Sequence, residues 1–376
     1  MVLAAVFSST LGVGLIFGFQ PPLLALVLAR AGSSNFVIGA VTAASLVAVI
    51  ALGPWYPKIL ARLGLRRSVI AGVCAGACLL AVMPLWPSVG AWLLLRLVAG
   101  GALGLSWIAS EVWMNSVSGA RSRSTVMGIY GTVFSIGIMS GPALLEFTGT
   151  RGWQPFSIGA AVLLASLLPL LLLRRVASAA QSFTPMRRLG AAIRGAPAIM
   201  TAALVAGLVE SADLTMLPLF GVRAGFPDRQ ALLLVTVFMA GNVVLQAPIG
   251  VLADRNGRRL MLGICALLSG VGPLLLQPWL GTPALLWPLL IIWGGTLYAF
   301  YSQGIALLGA AFDESELPTA NTVFVMVYCL GGILGPCVGG FAMDAWPRYG
   351  LQAVLCTGPF ALFVGLLLGL RGRMRR

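Results

Sequence analysis

The chain has no histidine, a single lysine and only 9% charged residues over 376 positions. The lack of His excludes imidazole metal sites, Ser-His triads and histidine proton relays. No G-x-x-x-x-G-K-[ST] pattern surrounds Lys58, the one lysine, so the phosphate-cradling loop of an ATPase is absent. Energy for any active process must then come from an ion gradient or a partner. Soluble domains carry roughly 25% charged residues, and a water-exposed surface cannot be built from what is present here. That excludes a cytosolic enzyme, a secreted domain and a peripheral membrane protein. The six cysteines, at 74, 78, 265, 329, 337 and 356, all fall inside apolar runs. They read as small core residues rather than as a disulfide framework or a metal site.

What the chain does have is apolar length: 59% apolar residues and a mean hydropathy of +0.98. Breaks at charges, Pro and Gly divide it into twelve apolar segments: 2–29, 34–60, 67–86, 89–116, 124–147, 153–173, 198–221, 229–252, 259–279, 282–310, 318–344 and 350–370. Each is long enough to cross a bilayer. The first is too long for the apolar region of a signal peptide and has no basic residue before it, so it is expected to stay as a span. One long polar stretch, 174–197, separates two sets of six.

The net charge of +14 comes almost entirely from 23 Arg. With the N-terminus placed inside, the inner loops and tail hold 18 of the 24 basic residues, among them Arg66, Arg67, Arg255, Arg258 and Arg259. The outer loops hold five (Arg30, Arg151, Arg223, Arg229, Arg348), and Arg96 lies within a span. By the positive-inside rule both ends are expected in the cytoplasm, and the basic charge needs no nucleic-acid partner to explain it. The halves also repeat. Gly100-Gly101 matches Gly294-Gly295, and Gly137-x-x-x-Gly141-Pro142 matches Gly331-x-x-x-Gly335-Pro336, both at an offset of 194; Gly64 matches Gly257 at 193. Three landmarks at offsets of 193–194 indicate two parallel six-helix repeats.

Several motifs stand on these segments. GVLADRNGRR at 250–259 places Gly250 and Gly257 where the chain must turn tightly, beside Asp254, Arg255, Arg258 and Arg259. This run resembles the signature of the major facilitator superfamily, G-x-L-A-D-r-x-G-r-r, in the loop where that family carries it. The first-half copy, PKILARLGLRR at 57–67, keeps Gly64, Arg66 and Arg67 but has Pro57 and Ala61 in place of the family's Gly and Asp. Arg96 and Gly100 resemble the family's R-x-x-q-G, with Ala99 departing from it. Span 11 carries the full antiporter-like signature through Gly331, Gly335, Pro336, Gly339 and Gly340. Span 5 carries Gly137, Gly141 and Pro142, but Leu145 and Glu146 replace the final glycines. Four-residue spacing of small residues also serves close helix packing. The resemblance implies a twelve-helix transporter, a proton-coupling role for Arg96 and an antiport mode.

The ten acids are placed selectively. Most sit in loops or at span ends, leaving Glu111 in span 4 and Glu210 and Asp213 in span 7. The last two are i,i+3 on one face, and two such carboxylates in low dielectric should not both ionise. All three acids and Arg96 are candidates for proton coupling. Glu111 lies about 23 Å along the helix from Arg96 and is not its direct partner. Gln20, Asn242, Gln246, Tyr298, Tyr301 and Gln303 are candidates for the substrate cavity; each alone also fits a helix–helix hydrogen bond. Asp254 is expected to face the start of span 5, at Ser122, Ser124 and Thr125. In the same way Asp313, Glu314 and Glu316 are expected to pair with Arg62, Arg66 or Arg67.

The fold predicted is all-α: twelve transmembrane helices in two pseudo-symmetric six-helix bundles, 1–173 and 198–376, joined by a cytoplasmic linker at 174–197. The protein is expected in a bacterial inner membrane, as a monomer with no cofactor or metal. Its function is read as proton-coupled transport of a small amphipathic organic molecule by alternating access, with export by antiport as the favoured direction. Proton symport or facilitated uptake of a metabolite or chelator is the alternative within transport. A non-transporting receptor or lipid-handling protein is the alternative class. Enzymatic activity is not expected, because no nucleophile–base grouping appears.

Overall fold

The computed structural model describes residues 2–117, 123–172, 195–312 and 317–373. Most of the 174–197 linker lies outside these residues, as do Ser122 and the acids Asp313, Glu314 and Glu316. The pairings expected of those acids therefore fall outside the described residues.

Among the described residues, twelve helices are long and apolar enough to cross a membrane: spans 1 to 6 are Val2–Arg30, Asn35–Leu63, Leu65–Leu85, Val89–Val117, Val126–Thr148 and Gln154–Leu171. Spans 7 to 12 are Pro197–Arg223, Asp228–Asn256, Arg258–Trp279, Pro283–Ala311, Ala320–Ala345 and Gly350–Leu368. No strand occurs among the described residues. Span 2 is interrupted by a 3-10 turn at Gly53–Trp55, where Pro54 removes a backbone donor. Gly64 (φ 78°) and Gly257 (φ 95°) occupy the left-handed region between spans 2 and 3 and between spans 8 and 9, and so supply the tight turns of the two loop motifs. The outward faces are apolar: Leu94, Val98, Phe147 and Leu172 are all more than half exposed, which suits a lipid surface. All six cysteines are free. Cys265 and Cys329 are core residues as expected, but Cys78 is exposed, because on a membrane helix the outward face is as apolar as the interior.

The chain divides into two compact units. The first gathers residues 1–33, 40–183 and 218–236; the second gathers 34–39, 184–217 and 237–376. In the first unit span 1 packs along span 5, and span 3 packs on spans 4 and 6. In the second, span 9 packs on spans 10 and 12, and span 12 also on span 11.

The repeat is built from backbone-to-backbone approaches. A Cβ on Gly137 would stand 2.5 Å from the Leu11 carbonyl oxygen, and one on Gly331 would stand 2.1 Å from that of Leu204. Likewise a Cβ on Gly100 would stand 2.3 Å from Ser45 O, and one on Gly294 would stand 1.8 Å from Phe238 O. The partner residues Leu11 and Leu204, and Ser45 and Phe238, are themselves each 193 apart. Lipid offers no hydrophobic gain for joining two apolar helices, so such close van der Waals contact is what holds them.

The contrast within span 11 gives a test. Gly335 would place a Cβ 2.0 Å from Leu208 O, whereas Gly339 would place one 3.6 Å from its nearest neighbour. Gly335→Ala should cost about 1–3 kcal/mol by overpacking, and Gly339→Ala should stay within about 0.5 kcal/mol. Thermal unfolding midpoints of the two variants in detergent check this; equal shifts would contradict the packing described.

Candidate functional site

Span 7 is the most enclosed helix: 83% of its apolar window is buried, against 28% for spans 5 and 12. It carries Glu210 and Asp213 on one face. Gly331 and Gly335 bring span 11 against it, and a Cβ on Gly207 would stand 2.0 Å from Tyr328 O. One turn beyond that contact, the Tyr328 hydroxyl donates to Glu210 Oε2 at 2.6 Å. The Tyr298 hydroxyl, donated to Met239 Sδ at 2.8 Å, belongs to the second phenol beside Glu210. Tyr301 stands edge-on to Tyr328, ring centroids 5.0 Å apart. Asp213 is wholly buried, and neither carboxyl oxygen has a hydrogen-bond partner. Spans 7, 10 and 11 thus gather phenols about Glu210, with the unpartnered Asp213 three residues along span 7.

The other polar candidates of this unit are arranged differently. Gln246 Nε2 donates to Asn242 Oδ1 at 2.7 Å, so these two satisfy each other along span 8. Gln303 is buried with its Oε1 unpartnered.

In the first unit Arg96 is 5% exposed and bridges three helices. Its Nη1 donates to Gln20 Oε1 in span 1, and its Nη2 donates to Thr42 O at 3.0 Å and Ser45 Oγ at 2.8 Å in span 2. All three acceptors are neutral, and Arg96 Nε and Gln20 Nε2 remain without partners. Glu111 is half-buried in span 4, with its backbone oxygen accepting from Asn115 Nδ2 at 3.2 Å.

The loop motifs are also placed. Asp254 accepts from Arg258 at 2.5 Å within its own helix, while Arg255, Arg259 and Arg67 are exposed and Gly250 faces open space. Arg66 Nη2 reaches the carbonyls of Leu170 and Leu171, both at 3.3 Å, and so serves the last turn of span 6. Of the packing residues, Gly141 would put a Cβ 2.3 Å from Phe19 N, Gly340 one 2.2 Å from Asn35 O, and Pro142 and Pro336 lie inside their helices.

Reading the sequence alone missed Tyr328, Thr42, Ser45 and a set of contacts at the span ends. Arg30 Nη2 and Thr150 Oγ1 both donate to Asp228 Oδ2, the latter at 2.9 Å. Asp344 accepts the backbone N–H of Asn35 at 3.1 Å and of Phe36 at 3.0 Å, capping the first turn of span 2. The repeat could have pointed to them, since Thr150 and Asp344 are 194 apart and Asn35 and Asp228 are 193 apart.

Comparison with known proteins follows from this geometry. The profile of the Major Facilitator Superfamily matches residues 2–234 and 225–375. A Bacillus subtilis protein, YfkF, described as an uncharacterised MFS-type transporter, is 23% identical over 366 residues, covering 94% of this chain and 91% of its own length. The Shigella flexneri protein YcaD, described in the same words, is 24% identical over 360 residues, covering 92% and 90%. Among solved structures, the crystal structure of the nucleoside transporter NupG has a TM-score of 0.77 at 18% identity over the full length of both chains. A point mutant of that protein has a TM-score of 0.79 at 16% identity, covering 97% of this chain and 98% of its own. At these identities the structural likeness concerns the fold.

The Arg96 bridge generates its own test. Lysine keeps the charge but cannot span three acceptors on two other helices. Arg96→Lys should therefore lower stability by about 1–3 kcal/mol, read as the unfolding midpoint in detergent, and an unchanged midpoint would show that the bridge holds nothing.

Proposed function

The chain belongs to the Major Facilitator Superfamily and is a multi-pass secondary transporter, and from that premise we propose that it moves a small amphipathic organic molecule in exchange for protons carried by Glu210 and Asp213. The observation that carries this reading is Asp213: fully buried, in the most enclosed span, with two unpartnered carboxyl oxygens. An ionised carboxylate so placed is costly without donors or a counter-charge, so Asp213 is tolerable there only with its proton. Glu210, three residues away and bonded to Tyr328, is the neighbouring group to which that proton can be handed. A carboxyl that must gain and lose a proton as its surroundings change is the element a proton-coupled cycle needs.

Arg96 supplies a charge that does not change near neutral pH, so its part is to fix a field rather than to carry the proton. The antiport direction is supported by the complete G-x-x-x-G-P-x-x-G-G run of span 11, and a cytoplasmic placement of both termini by the distribution of basic residues. No grouping of nucleophile and base points to an enzymatic step.

The test uses purified protein in proteoliposomes, with a cargo found by thermal-shift screening of amphipathic compounds. Glu210→Gln or Asp213→Asn should abolish transport driven by an imposed pH gradient while counterflow continues. Gradient-driven rates at the wild-type level in both variants would end the proposal. Arg96→Lys should keep partial transport with a displaced pH optimum; an unaltered pH profile in Arg96→Ala would remove Arg96 from the coupling and leave it a structural bridge.

A further inference from the structure

Buried hydroxyls on these helices mostly donate back to a carbonyl of their own helix. Ser9, Thr215 and Thr296 do so at 2.8–2.9 Å. Among the described residues, the buried hydroxyls left without a partner are Thr10, Ser106 and Ser110, all in spans 1 and 4 of the first unit. Ser106 packs against Gly72, where a Cβ would stand 2.9 Å from its own. Thr10 and Ser110, each 2% exposed, instead line one narrow recess together with Val13, Trp107, Tyr130 and Phe134. As the helices stand, that recess is too tight for a water molecule.

The walls are aromatic. Trp107 and Phe134 stack 5.7 Å apart at 8°, and Phe17 meets Trp107 edge-on at 5.9 Å. The Tyr130 hydroxyl reaches Trp107 O at 3.4 Å. Glu111 follows Ser110 directly and stands one turn from Trp107 on the same helix face. The first unit's other acids in membrane-spanning helices lie at span ends and are already engaged: Glu146, near the end of span 5, accepts from Thr236 at 2.7 Å, and Asp228, at the start of span 8, accepts from Thr150 at 2.9 Å. The place is also the repeat equivalent of the carboxyl site in the second unit. Trp107 and Tyr301 are 194 residues apart, as are Phe134 and Tyr328, so each repeat sets one aromatic pair from its fourth and fifth helices at the same position.

Aromatic faces and hydroxyl lone pairs line the recess, Glu111 stands one helical turn from Trp107 beside it, and no basic side chain lines it. We propose that this recess receives the cationic head of the cargo, an alkyl- or arylammonium group, with Glu111 as its counter-charge. The N-methyl or N-methylene groups rest on the faces of Trp107 and Phe134, and the oxygens of Thr10 and Ser110 accept any N–H. Entry requires the two stacked rings to part. This inference rests on the transporter reading and names the substrate class for it.

The test is equilibrium thermal stabilisation of the full chain in detergent by benzyltrimethylammonium, with benzyl alcohol as the uncharged aromatic control. Wild type should show saturable stabilisation by the ammonium and none by the alcohol. Glu111→Gln should weaken the apparent Kd by at least about tenfold, and the double variant Thr10→Val with Ser110→Ala should weaken the binding of benzylammonium, whose N–H groups those oxygens accept. Trp107→Phe should retain binding and Trp107→Leu should lose it; should the Leu variant fail to fold, the Phe and Glu111 variants still decide. Absence of stabilisation in wild type, equal stabilisation by benzyl alcohol, or an unchanged Kd in Glu111→Gln would each overturn the proposal. The measurement needs no gradient, so its failure leaves the proton coupling standing. Ammonium binding without any gradient-driven transport would instead remove the coupling alone.

Discussion

The bilayer interior supplies no hydrogen-bond partner, and the polar groups described within the spans are arranged under that constraint. Hydroxyls fold back onto their own helices, Trp92 Nε1 donates to Met83 O at 2.8 Å, Tyr56 donates to Gly101 O at 3.1 Å, and Asn242 and Gln246 close on each other. Against that background the unpartnered groups stand out. Asp213, Gln303, Arg96 Nε, Thr10 and Ser110 are all buried and all left open. A membrane protein cannot cheaply keep such groups for packing alone, since an apolar side chain of similar size would fill the same space without the penalty. Their retention is intelligible where the missing partner is a proton or a cargo that arrives and leaves.

The glycine contacts and the polar site are one construction. Gly207 lets span 7 approach the Tyr328 carbonyl, and Glu210 lies one turn further along, so the backbone approach sets the height at which the Tyr328 hydroxyl meets the carboxylate. In the first unit Gly14 is the counterpart contact, with a would-be Cβ 2.6 Å from Phe134 O. Phe134 is then held beside Trp107 by the same kind of approach. Small residues that look like mere packing thus decide where the aromatic side chains of spans 5 and 11 stand.

Much of the fold was legible in the sequence because spanning a bilayer demands about 20 apolar residues in a row, and turn glycines at one offset exposed the repeat. Arg96, Glu210 and Asp213 were legible for a related reason: ionisable residues are so scarce in these helices that each stands alone against its surroundings. Tyr328 was not, because a tyrosine in an apolar helix carries no mark of where its hydroxyl points. Nor was the link between Gln20 and Arg96, 76 residues apart on helices whose rotation no local pattern fixes. Asp228 read as a loop charge and Asp344 as an acid near an outer span end, since only the three-dimensional meeting with Arg30, Thr150 and the start of span 2 gives them work.

Charge within the spans also bears on the direction of exchange. The first unit's helix interiors hold Arg96 and Glu111, which cancel once Glu111 is ionised, and those of the second hold Glu210 and Asp213 with no base among the described residues. Let one of that acid pair titrate while the other stays neutral. With an ammonium on Glu111 and the acid ionised, the spans sum to zero charge; with the cargo gone and the acid protonated, they sum to zero again. Moving cargo and proton together would leave one net positive charge when loaded and one net negative charge when empty. Each uncompensated charge at bilayer depth costs at least about 2.5–3.5 kcal/mol, and a two-state carrier balanced within a few kcal/mol is biased by that amount. For a cationic cargo, this distribution of charge favours exchange against a proton over movement beside one.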